Sequence, residues 1–180
     1  VAVGRVSYPT ELVLRMGPDR PRAERTALRI LKTHRGLDVE RFLGELGRAL
    51  EVAWDADLDR RLADQNIMTW DDVRALHDAG MDIGSHTRTH RVLDTVEPTS
   101  LPTELAESKA DIEREIGARV SALAYPVGRP VRRLPLLERA VRDAGYQVGF
   151  SVETRANSLS RPLDPFNLMR LPVASATSAD

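Results

Sequence analysis

Two patterns of apolar and polar positions divide the chain. Up to about Asn66 it is rich in Arg, Leu and Glu, and Val39, Phe42, Leu43, Leu46 and Leu50 recur at helical spacing. That stripe predicts an amphipathic helix within 37–50 that needs a partner surface. Pro9, Pro18 and Pro21 interrupt the start of this segment, which reads as helices of modest length with no strand signal. From Thr69 the pattern becomes an alternation of helices and strands. Thr69-Trp70-Asp71-Asp72 has the form of an N-cap with an acidic third position, Val73 and Leu76 follow Trp70 at helical spacing, and Gly80 suits the left-handed position past the end. A short strand is expected over 81–85, a helix over 102–116 with Leu105, Ile112 and Ile116 on one side, and a strand over 120–125. A helix over 134–144, a strand over 147–152 and a last strand over 168–173 complete the series. Helical crossovers return the chain to the same end of a sheet, so the strands are expected to be parallel. Residues just past the strands then share one rim, which makes His86, Tyr125 and Glu153 neighbours.

At 180 residues the chain suits a single packed core, and 42% apolar with 29% charged residues excludes a disordered or collagen-like polymer. The 26 basic and 27 acidic residues nearly cancel, leaving no global field to hold nucleic acid or an anionic membrane. Absence of Cys excludes disulfides, thiolate zinc sites and a Cys nucleophile, so any bound metal must use His and carboxylate. No apolar run reaches the roughly 20 residues of a membrane span, and the opening Val1-Ala2-Val3-Gly4-Arg5 lacks the order of a signal peptide. A closed parallel barrel takes about 250 residues and the chain opens without Met, so an N-terminal portion is expected upstream of Val1.

Candidate chemistry gathers at two strand ends. His86 and His90 are four apart in the polar segment Ser85-His86-Thr87-Arg88-Thr89-His90, a spacing that lets two imidazoles converge on one point and hold a borderline metal. His34 and His77 lie in helical stretches and are assigned to solvent or helix packing. Ala124-Tyr125-Pro126-Val127-Gly128 ends an apolar strand with a residue that cannot donate to a ladder and one that permits a sharp turn. Taken alone, each motif also fits a bland reading: two surface histidines, and an ordinary strand exit.

Together they resemble the polysaccharide deacetylases of the NodB-homology type. The likeness runs through Met68-Thr69-Trp70-Asp71-Asp72-Val73, Ala79-Gly80-Met81-Asp82-Ile83-Gly84-Ser85-His86-Thr87-Arg88-Thr89-His90, Glu104-Leu105 with Ser108-Lys109, Ala124 to Gly128, Ala144-Gly145-Tyr146, and Asp164-Pro165-Phe166 with Met169-Arg170-Leu171-Pro172-Val173. It implies an α/β fold, a partial distorted parallel (β/α) barrel over 67–180, with the first 66 residues a helical insertion. It further implies metal-dependent hydrolysis of N-acetyl groups on a polysaccharide, with an acetylated glycan as partner. His86 and His90 would ligate a divalent metal, most simply Zn2+. Thr87 would hold the loop by hydrogen bonds, the backbone N–H of Tyr125 would donate to the oxyanion, and Pro126 and Gly128 would shape the substrate side.

Two departures stand beside these matches. The family's Asp pair after its first strand, which supplies the general base and third ligand, has no counterpart here, because Asp71-Asp72 opens a helix. Where many members carry a late His, this chain has Arg170, expected to reach the rim and pair with a catalytic carboxylate. Asp82 and Asp94 are weaker candidates for a replacement ligand. The alternative reading is a non-catalytic glycan-binding remnant of the same fold, distinguished by whether a strand followed by Thr-Phe-Asp-Asp precedes Val1. A bacterial cytoplasm or cell envelope is the expected location, and oligomeric state is not legible.

Overall fold

The computed structural model describes residues 3–15, 17, 19–153, 156–158, 160 and 162–171. They form two compact units, residues 1–75 with 95–97, and residues 76–94 with 98–180.

The first unit opens with an antiparallel hairpin, β1 (Val3–Val6) and β2 (Leu12–Arg15), in the register Val6 to Leu12 and Gly4 to Leu14. This corrects the expectation of an all-helical first third. Each strand is four residues long, too short for alternation to stand out before pairing reveals it. Val6 and Leu14 are buried while Val13 is exposed, so only one face is covered. Helices α1 (Arg20–Thr33), α2 (Val39–Ala49) and α3 (Ala56–Asn66) follow. Asp38 and Asp55 cap the last two by accepting from Arg41 N and Leu58 N. Val6, Leu14, Ile30, Leu37 and Phe42 form the core, with Val39, Leu46 and Leu50 of the expected stripe packed against it. Leu43, on the same stripe, is exposed. Glu45 ties the hairpin turn to α2 by accepting from Ser7 N, Ser7 Oγ and Tyr8 N, and these bonds hold its carboxyl below the usual range.

Helix α4 (Trp70–Asp78) begins with a reciprocal cap: Thr69 N and Oγ1 donate to Asp72, and Asp72 N donates back to Thr69 Oγ1. The Thr69 hydroxyl and amide hold the Asp72 carboxyl below its usual range. It ends in a Schellman turn in which Gly80, at φ 87°, donates to His77 and Met81 donates to Leu76.

The second unit is built on a parallel sheet of β3 (Ala122–Ala124), β4 (Val148–Val152) and β5 (Leu168–Arg170), in that order. Ser85 adds one parallel rung on the free side of β3, opposite Leu123. Of the strand expected over 81–85 only this rung forms, with Ser85 N donating to Ala122 O and Ala124 N donating to Ser85 O. Gly84 beside it eases the close approach, since a Cβ there would lie 3.3 Å from the Ala122 carbonyl oxygen. The last strand stops at Arg170, and positions 172–173 of its expected span lie outside the described residues.

The two faces of this sheet differ. Leu123 and Ser151 point to a face closed by Leu105, Val141, Tyr125 and Tyr146, all 3% exposed or less. On that side a wide turn of π type, Thr103–Glu107, runs into α5 (Ser108–Ile116), and α6 (Pro135–Asp143) precedes Tyr146, whose hydroxyl donates to Leu105 O. Tyr125 Oη donates to Phe166 O at 2.7 Å. The opposite face, with Ala122, Ala124, Val148, Phe150 and Arg170, lines an open hollow of about 860 Å³. The described strands form no closed barrel, as expected for a partial one.

Gly149 lies where a Cβ would overlap the Tyr125 hydroxyl and stand 2.9 Å from the Phe166 carbonyl oxygen. Gly149→Ala should therefore lower unfolding free energy by about 1–3 kcal/mol in urea titrations. Burial, then the negative charges of Asp164 and Glu138, hold the Tyr125 phenol above its ordinary value; burial does the same to Tyr146. Phenols raised in the folded state contribute stability that is complete below about pH 10 and is lost as pH rises further. Absorbance at 295 nm should show these two ionising only as the protein unfolds in strong alkali, whereas ionisation near pH 10 in the folded chain would contradict their packing.

Candidate active site

The Ser85 rung delivers the next residue to the C-terminal rim of the sheet. There the His86 ring is 2.6 Å, through Nδ1, from the carbonyl oxygen of Ala124, the last residue of β3. A carbonyl can only accept, so Nδ1 carries the proton and Nε2 presents its lone pair. The His90 ring stands 4.8 Å away, centroid to centroid, inclined at 66°. Two exposed imidazoles this close, one with its tautomer fixed by a backbone carbonyl, have the donor chemistry of a zinc site. Among the described residues no group of three His, Asp or Glu completes a ligand set.

The backbone between them is strained. Thr87 has φ 67° and His90 φ 58°, left-handed conformations that cost a non-glycine residue about 1 kcal/mol or more each. Neighbours hold the segment from below. Thr87 N donates to Ser85 Oγ, which pairs with Ser108 Oγ at 2.6 Å. Arg88 N and Thr89 N donate to Glu104 Oε2 at 3.2 and 3.0 Å, and the Thr89 hydroxyl donates to Glu104 Oε1. The Arg88 guanidinium pairs with Glu107 and Asp111. Thr87 therefore is not the side chain that ties the loop: its Oγ1 is buried with no hydrogen-bond partner among the described residues. Thr89 and Glu104 do that work.

Sequence reasoning gave Glu104 no role, although the signal was present. Glu104, Glu107, Ser108 and Asp111 are spaced i, i+3, i+4 and i+7, a polar stripe on one helix face that needs something to hold.

Tyr125 leaves β3 beside His86, but its N–H donates to Phe150 O at 2.9 Å. The amide expected to receive an oxyanion is thus committed to the sheet. Pro126 and Gly128, expected on the substrate side, are buried. Gly128 has φ 70° and lies where any Cβ would strike Val152, so both residues shape a turn whose exposed member is Val127. Glu153 follows β4 on the same rim and pairs with Arg132 at 2.5 Å. Asp94 is held bidentately by Arg129, and Asp82 lines the hollow with His86. Arg170 lines that hollow too, and its Nε is buried without a hydrogen-bond partner among the described residues.

A family model for polysaccharide deacetylases matches residues 54–149, more than half of the chain and the stretch carrying both strand-end motifs. The chain belongs to the polysaccharide deacetylase family. Among solved structures this family member is similar to the deacetylase PplD of Streptococcus pyogenes, solved in complex with acetate, at TM-score 0.52 and 22% identity. It is also similar to a polysaccharide deacetylase from Bacillus cereus, at TM-score 0.50 and 22% identity. The alignments cover 62% and 58% of this chain and only 49% and 32% of the two others, so the chain spans half or less of these relatives. At such identity they establish the partial barrel fold. No curated protein matches the chain.

Long-range nitrogen NMR should find His86 as the Nδ1–H tautomer at alkaline pH. A proton on Nε2 instead would mean that the Ala124 carbonyl does not set the ring.

Proposed function

We propose that this chain is the C-terminal part of a metal-dependent hydrolase that removes N-acetyl groups from a bacterial envelope or exported polysaccharide. The single observation that supports it is the pairing of two imidazoles 4.8 Å apart with one ring anchored on the β3 carbonyl. His86 and His90 would hold the metal, with Zn2+ best suited to neutral imidazole. When bound, such an ion polarises an acyl oxygen and acidifies water.

This chain's own residues do three further things in this reading. The Glu104 clamp keeps the ring pair together, the bare sheet face receives the remainder of the site, and Arg170 offers an unsatisfied guanidinium N–H toward a carboxylate on that face. No Asp pair follows a strand among the described residues, so in this reading the general base and third ligand would be supplied by other residues. Residues 1–66 would act as an insertion or lid segment of that protein.

Calorimetric zinc titration and acetate release from an acetylated chitooligosaccharide test the proposal. The expected result is measurable zinc uptake, weakened at least ~tenfold in His86→Ala and His90→Ala, with little turnover until the upstream portion of the protein is present. No uptake by the unsubstituted chain would overturn the metal site. Robust turnover by residues 1–180, abolished in His86→Ala, would overturn the claim that the base lies elsewhere.

A further inference from the structure

We propose that Glu104 is the positioning residue of the His86 and His90 pair, imposing on the backbone between them a shape it would not keep alone. The inference rests on the metal-site reading above.

Three observations converge on it. Thr87 and His90 both sit at positive φ, and a β-branched threonine enters that region only when its surroundings over-determine it. Glu104 is 5% exposed, and it accepts three hydrogen bonds from the stretch between the histidines: Arg88 N, Thr89 N and the Thr89 hydroxyl. Among the described residues no Lys or Arg pairs with it. Burying a carboxylate on neutral donors is costly, and both oxygens here are spent on one loop rather than on a salt bridge. Finally, the helix bearing it is widened to a π turn over Thr103–Glu107, a distortion frequently found at functional sites, and its two glutamates hold the backbone and the side chain of Arg88.

Two substitutions of matched size separate positioning from packing. Glu104→Met keeps the volume and removes both acceptors. Glu104→Gln keeps a carbonyl for the two amides and presents its NH2 to the Thr89 hydroxyl, which can turn to accept. Amide hydrogen exchange at Arg88 and Thr89 is read without metal, and zinc affinity is read by calorimetry. Glu104→Met should speed exchange at those two amides, leaving β3 and β4 unchanged, and weaken zinc binding at least ~tenfold, while Glu104→Gln stays close to the unsubstituted chain in both. Thr89→Val, which removes one donor without touching the interior, should move both readouts the same way by less, and supplies the answer if Glu104→Met does not fold.

Unchanged exchange at Arg88 and Thr89 in Glu104→Met, or identical behaviour of the Met and Gln variants, would overturn the proposal. If the unsubstituted chain takes up no zinc, the metal reading fails on its own, and exchange at the two amides still decides whether Glu104 shapes the loop.

Discussion

One parallel rung governs the site. Ser85 donates to Ala122 and accepts from Ala124, and this pair of bonds fixes both the height and the facing of everything that follows. Side chains alternate along an extended segment, so a slip of one residue would exchange the faces of Ser85 and His86. The structure guards against that slip on both sides. Ser85 is buried against Ser108, while His86 is held from the other side by the Ala124 carbonyl.

The helical side of the sheet supplies polar as well as apolar contacts. Leu105 belongs to the closed face, while Glu104, Glu107, Ser108 and Asp111 on the same helical stretch reach Ser85, Arg88 and Thr89. Each hydrogen bond is worth only about 1 kcal/mol net, but several converge on a stretch of five residues. That is enough to hold two left-handed residues in place. Tyr146 joins the same layer, its phenol packed beside Ser85 and Ser108 and donating to Leu105 O. The strand end, the loop and α5 thereby form one connected polar network under the imidazoles.

Much of the chain from Thr69 onward was legible in the sequence because its punctuation is chemical. Thr69 with Asp72, Gly80, Gly117 and Gly145 mark helix ends that the backbone realises, and the order of β3, α6 and β4 follows directly. The hairpin was not legible, since Val3–Val6 contains a glycine that reads as a breaker yet is required where Ala49 O approaches. At the site, the pairing of His86 with His90 could be read from spacing, whereas hydrogen bonding could not. Nothing in Tyr125 itself says that its N–H will be taken by Phe150, or that Thr87 will leave its hydroxyl idle while Thr89 finds Glu104. Those outcomes depend on strand register and on two left-handed backbone angles, which arise only when distant segments meet.

Among the described residues, the hollow in front of Ala124, Phe150 and Arg170 leaves a parallel sheet dressed on one side only, an unusual condition in water. Whatever settles there acts as a ligand of the folded state. Occupancy and folding then become one equilibrium: each tenfold rise in free occupant beyond its dissociation constant adds about 1.4 kcal/mol to stability. Melting temperature thus becomes a concentration gauge for whatever occupies that face.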